Sequence, residues 1–139
     1  MKNFKDLLIR LEACSEAMEW AGDKTLQEIW ETCERGDWML WLLRRSDLFK
    51  TDHRKFTMAK WVCANQVRHL MTDKRSLNAL DVAYKCAIGE ANSEDLAAAA
   101  DAAAAAAYAA YAAARFKMLS ICAGEIRKVI NWNEITFEL

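Results

Sequence analysis

Arg44, Arg45, Lys50, Arg54, Lys55 and Lys60 place six cations within 17 residues, and Trp61 follows directly. Guanidinium and ammonium groups at this density can grip nucleic-acid phosphates or hold an acidic protein surface. Tryptophan and arginine are enriched where interfaces concentrate their binding energy, so Trp61 beside Lys60 and Arg68 favours a contact role. These seven residues, from Arg44 to Trp61, form the leading candidate partner-binding site. A plain solvated helix surface explains the same charges without a partner.

Other chemistry-bearing residues offer less. Glu12, Glu16, Glu19, Glu31 and Glu34 form an acidic ridge and a second candidate surface. Acid–base work would require a cleft that raises one of their pKa values, and their spacing reads more simply as a water-facing helix side. His53 and His69 belong to no H-x-x-x-H or repeated E-x-x-H pattern of the kind metal-binding helices use. Neither G-x-x-x-x-G-K nor G-x-G-x-x-G occurs. The five cysteines stand about 20 to 36 residues apart, an odd number with no short spacing, which fits neither a disulfide framework nor a zinc site. Cys14, Cys33, Cys63 and Cys122 fall on apolar helix faces and are expected to be small buried thiols. No catalytic, cofactor-binding or metal-ligating residue is therefore assigned, and the chain is expected not to be an enzyme.

The elements that position these residues follow from composition. The chain has 139 residues, four glycines and no proline. Helix formers dominate and β-branched runs are missing, so the fold class is all-α. The expectation is a single compact bundle of about six helices across residues 1–139, with short connections and a long alanine-rich C-terminal helix. The strongest apolar run, residues 38–43, is far shorter than the about 20 residues a membrane span needs. The N-terminal residues mix acids among apolar positions and lack a signal-peptide core. No membrane contact and a cytoplasmic location are expected. The net charge of −1 conceals an uneven distribution. Residues 1–37 hold nine acids and five bases (−4), residues 38–77 three and nine (+6), and residues 78–139 eight and five (−3).

A helix is expected over residues 4–21, its stripe Phe4, Leu7, Leu11, Cys14, Met18 and Ala21, with Trp20 pointing away. Thr25 and Glu28 make a capping box for the second helix. Gly36 is expected to stop that helix and Asp37 to N-cap the third, which is apolar all round and ends at Arg44 and Arg45. Trp30, Cys33, Asp37, Trp38 and Trp41 are the expected structural centre. A fourth helix over residues 52–71 packs through Phe56, Ala59, Cys63, Val67 and Leu70, with Met58, Trp61 and Val62 on its other side. The fifth, residues 74–88, turns Leu77, Leu80, Tyr84 and Ala87 inward and ends at Gly89. Ser93 then caps a sixth helix in which 15 of the 18 residues 97–114 are alanine. Unbroken to residue 130, that helix would be about 55 Å long. Its alanine face allows close approach of a neighbour, including a second copy, so a homodimer seam is one expectation. The tail is expected to fold back through Trp132, Ile135 and Phe137.

The segments LEACSEAMEWA, TLQEIWETCERGDWMLWLL and SLNALDVAYKCAIGEANSEDLAAAADAAAAAA resemble the immunity protein / bacteriophage protein family, the class-five-like immunity proteins. The resemblance spans residues 11–130. It is most specific at Trp30, Cys33, Gly36, Asp37, Trp38 and Trp41, then at Ala79, Leu80, Asp81, Gly89 and Glu90. The chain departs from the family at Asp81, where glutamate is frequent, and at Lys74, Arg75 and Ser76, where a proline often stands. Members are small helical proteins of phages, prophages and polymorphic-toxin regions. The resemblance implies stoichiometric binding of a bacterial toxin or defence effector, either as immunity or as counter-defence such as anti-CRISPR activity. A nucleic-acid-binding accessory protein using residues 44–60, or a self-associating structural phage protein, are the alternatives.

Overall fold

The computed structural model describes residues 4–66, 68–70, 74–92, 94–95 and 115–138. Among them stand eight α-helices and no strand, in agreement with the all-α expectation. They are α1 (Phe4–Arg10), α2 (Ser15–Ala21), α3 (Leu26–Thr32), α4 (Gly36–Arg45), α5 (Leu48–Thr51), α6 (His53–Asn65), α7 (Lys74–Ala87) and α8 (Arg115–Val129). Two 3-10 turns, Arg68–Leu70 and Trp132–Glu134, complete the set. The alanine-rich residues 97–114, with Ser93 and Val67, lie outside the described residues.

The expected first helix is two helices. At the end of α1, Ala13 N–H donates to Leu8 O (3.0 Å) and Glu12 N–H to Ile9 O (3.1 Å). These are the paired bonds of a Schellman-type cap, with Glu12 in the left-handed position at φ +60°. Glycine usually fills that position, so the sequence carries no sign of the break. The cap of the next helix matches its sequence pattern: Thr25 Oγ1 accepts from Glu28 N–H at 3.2 Å.

The junction at residues 33–37 differs from the expected stop and cap. Helix α3 already ends at Thr32, and Gly36 is the buried first residue of α4. A Cβ at Gly36 would stand 2.7 Å from Cys122 Cβ, so the glycine serves the close crossing of α4 over α8. Asp37 is not the N-cap, because its carboxylate is held by Arg35: Nε–Oδ1 is 3.0 Å and Nη2–Oδ2 2.8 Å. The N-cap position falls to Arg35, which makes no side-chain capping bond.

The fourth expected helix starts where expected and ends early. A short α5 precedes it, Asp52 Oδ1 accepts from Lys55 N–H (3.2 Å) to start α6, and α6 ends at Asn65 rather than near residue 71. Helix α6 packs on two faces. Phe56, Ala59 and Cys63 are buried towards α4 and α8, while Trp61 lies against Tyr84 of α7, ring centres 4.8 Å apart. Tyr84, expected inward, is 41% exposed, while Leu80 is buried as expected, together with Ala79 and Cys86. Cys33, Cys63 and Cys122 are buried as expected and Cys86 is buried too, whereas Cys14, also expected to be buried, is exposed.

One apolar core runs from Leu8 to Ile135, with Trp30, Met39, Leu43, Cys122, Ile126 and Ile130 at its centre. Each fully buried aliphatic side chain contributes about 1.5–3 kcal/mol relative to exposure. Polar contacts lock the C-terminal segment onto it. Trp30 Nε1 donates to Ile130 O at 2.9 Å, and Arg127 Nη1 donates to Cys33 O at 2.6 Å and Trp30 O at 3.2 Å. That guanidinium covers carbonyls at the end of α3, where the helix dipole favours a cation. The tail folds back as expected: Ile135 is buried, Phe137 meets Phe4, and Asp47 accepts from Thr136 Oγ1 (2.8 Å) and Glu138 N–H (2.9 Å).

Candidate functional site

The basic cluster is set out by three elements. Arg44 and Arg45 occupy the last turn of α4, Lys50 lies on α5, and Arg54, Lys55, Lys60 and Trp61 lie on α6. Arg44, Arg45, Lys50, Arg54 and Lys60 are exposed, and among the described residues none of these five enters an ion pair. Lys60 is pushed below the ordinary lysine pKa, first by the protein atoms that crowd its ammonium and then by the charge of Arg44. Two of these cations lie over aromatic rings, Lys60 Nζ 5.7 Å from the Phe56 ring centre and the Arg45 guanidinium 5.2 Å from that of Trp41.

Two residues grouped with this cluster by sequence have other partners. Lys55 is half-buried and pairs with Glu134, which also accepts from Asn131 N–H (2.7 Å). Trp61 is half-buried against Tyr84, and its buried Nε1 has no hydrogen-bond partner among the described residues. It belongs to the contact between α6 and α7 rather than to a free rim.

The acidic surface is divided between α2 (Glu16, Glu19), α3 (Glu31) and the connections that hold Glu12 and Glu34. Glu12, Glu16, Glu19, Glu31 and Glu34 are all exposed. Glu16 adds to the field of Asp37 that holds Arg35 above the ordinary arginine value.

A third feature escaped the reading by residue pattern. Between α1–α2 and α3–α4 lies an apolar cleft of about 250 Å³, with walls that include Trp20, Trp38 and Trp41 and a floor that includes Trp30 and Leu42. Asp37 is the one charged residue lining it among the described residues. A neighbouring hollow of about 360 Å³ shares Trp20, Cys33 and Trp38 and adds Glu34 and Arg35. Trp20 and Trp38 meet with ring centres 6.1 Å apart.

This cleft corrects part of the expected structural centre. Trp30 (1% exposed) and Cys33 (2%) do lie in the core. Trp38 and Trp41 are half-buried walls, and Asp37 is exposed at the surface. The corner at residues 11–14 leaves α1 and α2 short of covering α4 fully. Two sequence signals pointed here: Trp20 off its helix stripe, and a third helix apolar on every side.

Cys33 and Cys63 are held in the neutral form. Burial pushes Cys33 upward, and Cys63 is pushed upward by its hydrogen bond with Cys122 and by burial. A raised thiol is a poor nucleophile near neutral pH. Among the described residues no three His, Cys, Asp or Glu side chains come together as a metal site, and no helix is long and apolar enough to cross a membrane. Compared with known proteins, the chain matches no family model, no curated protein and no solved structure.

Proposed function

We propose that the protein is a non-enzymatic inhibitor that neutralises a bacterial toxin or defence effector by stoichiometric contact through the basic face of α4–α6. The observation that carries this reading is the uncompensated charge of Arg44, Arg45, Lys50, Arg54 and Lys60. Like charges held close together oppose one another, and here the Arg44 charge disfavours protonation of Lys60. An acidic surface on a partner would relieve that opposition and would be steered to the site by the same field. The resemblance to class-five-like immunity proteins supports the same class of role, with immunity and counter-defence as its two forms.

The test is a double charge reversal, Arg44→Glu with Arg45→Glu, in a chain shown to be folded by circular dichroism. Wild-type protein expressed in bacteria carrying individual toxins or defence systems, CRISPR nucleases among them, should rescue growth or phage plating in one of them. The reversed variant should lose the rescue and the co-purifying effector. Absence of any stoichiometric protein partner would overturn the reading. The same charges favour one second reading, a nucleic-acid contact. That reading requires binding of a labelled 20-mer duplex that weakens steeply with salt and disappears in the reversed variant.

A further inference from the structure

The basic face accounts for charge but leaves the tryptophan cleft without a role. Half-exposed indole faces lining a cleft are a feature of binding surfaces rather than of ordinary solvated helices. Each of the three wall tryptophans carries a cation over its ring. Lys24 Nζ lies 4.8 Å from the Trp20 ring centre, the Arg35 guanidinium 4.4 Å from Trp38, and the Arg45 guanidinium 5.2 Å from Trp41.

These cations are not equivalent. Arg35 is neutralised by both oxygens of Asp37, and Lys24 Nζ donates to Trp20 O at 2.7 Å. Arg45 has no ion pair among the described residues and stands beside Arg44 at the end of α4. The Trp41 end of the cleft therefore opens onto free positive charge, and the Trp38 end onto a neutralised pair with Glu34 beyond it. An apolar centre with a charged rim is the anatomy of a protein interface. A volume of about 250 Å³ has room for a large side chain, while a helix of about 10–12 Å diameter would not enter.

We propose that the cleft receives one aromatic side chain from an acidic segment of the partner protein, with the carboxylates beside that side chain meeting Arg45 and Arg44. This inference rests on the basic-face reading and adds the anchor and its direction. The apolar anchor supplies desolvated contact area, and the flanking acids choose the Trp41 end by charge.

The test uses the full chain and three acetylated, amidated heptapeptides. The first alternates Asp and Glu around a central Phe, the second replaces that Phe by Ala, and the third places the Phe among Lys and Arg. Indole N–H signals of ¹⁵N-labelled protein report binding at Trp20, Trp38 and Trp41, with Trp61 as an internal control. Cys14, exposed at the cleft lining while Cys33, Cys63, Cys86 and Cys122 are buried, reports occupancy through its rate of reaction with Ellman's reagent. The acidic Phe peptide should shift the three wall signals, leave Trp61 in place and slow Cys14. The Ala peptide should bind about ten- to a hundredfold more weakly, the range expected from losing a buried aromatic side chain. Ala17→Phe, which fills the cleft from α2, should remove that difference with the basic face untouched. Arg45→Glu should weaken the acidic Phe peptide.

Equal binding of the Phe and Ala peptides would overturn the anchor while leaving the basic-face reading standing. Failure of both acidic peptides at millimolar concentration would overturn both. Binding of the basic Phe peptide as tightly as the acidic one would overturn the acidic partner.

Discussion

Two tryptophans with opposite hydrogen-bond fates give the sharpest residue-scale contrast. Trp30 is buried and its Nε1 donates to Ile130 O, whereas the Nε1 of Trp61 is buried with no acceptor among the described residues. Trp30→Phe leaves the Ile130 carbonyl short of a partner and should cost about 1–3 kcal/mol in urea unfolding followed by circular dichroism. Trp61→Phe removes a donor that gains nothing from folding, so its cost should stay under about 1 kcal/mol and can turn into a gain. A Trp61 variant losing as much as the Trp30 variant would show that the orphan N–H has an acceptor in solution. At this scale the sequence was informative wherever a local rule decides the outcome. The Thr25 cap, Gly89 at φ +86° and the buried Trp30 and Cys33 are of that kind. Asp37 was misread because two rules competed for one carboxylate: capping would have used it locally, and the Arg35 guanidinium two residues earlier took it instead.

Helix ends and crossings were harder to read than helix faces, because they depend on neighbours distant in sequence. Nothing in the local pattern says that Gly36 lies over Cys122, yet that approach explains the residue. An added Cβ would also stand 3.2 Å from Ala123 N and from Leu119 O, backbone atoms that have little freedom to move. Gly36→Ala should therefore destabilise the chain by about 1–3 kcal/mol, as overpacking does, although alanine is the better helix former. A neutral or stabilising result would mean that α4 and α8 stand further apart. The break between α1 and α2 leads to the opposite prediction. A left-handed conformation costs an L-residue about 1–2 kcal/mol, part of which glycine returns by being looser in the unfolded chain. Glu12→Gly should thus raise stability by up to about 1 kcal/mol in the same unfolding measurement. Loss of stability would show that residues 4–21 prefer the continuous helix their apolar stripe suggests. The stripe includes Phe4, Leu11, Met18 and Ala21, which do meet the core, but it omits Leu8, the buried residue of α1, and includes Cys14, which the break leaves exposed.

At the scale of the whole molecule, the alternation of acidic, basic and acidic thirds was visible in the sequence, while the tryptophan cleft required knowing which helices fail to cover one another. The basic third also makes a thermodynamic claim. Lys60 has a folded pKa below the ordinary lysine value of 10.5, so its charged form is disfavoured in the folded state. Below the folded pKa both states hold the proton, and the full cost of that disfavoured charge is present. As pH rises through the folded pKa towards 10.5, the folded chain sheds the proton first, the unfolded chain binds more protons, and stability rises. Lys60→Gln removes the titrating charge. Its melting temperature relative to wild type should be most favourable at pH 7 and should fall back as pH approaches 10.5. Loss of the Lys60 contact with the Phe56 ring offsets the comparison, but the trend with pH isolates the ammonium. An acidic ligand on this face adds a second check, since it favours the charged form it neutralises. The acidic Phe peptide should raise the melting temperature of wild type more than that of Lys60→Gln. Equal shifts would place the ligand away from Lys60 and separate the cost of the basic face from its use.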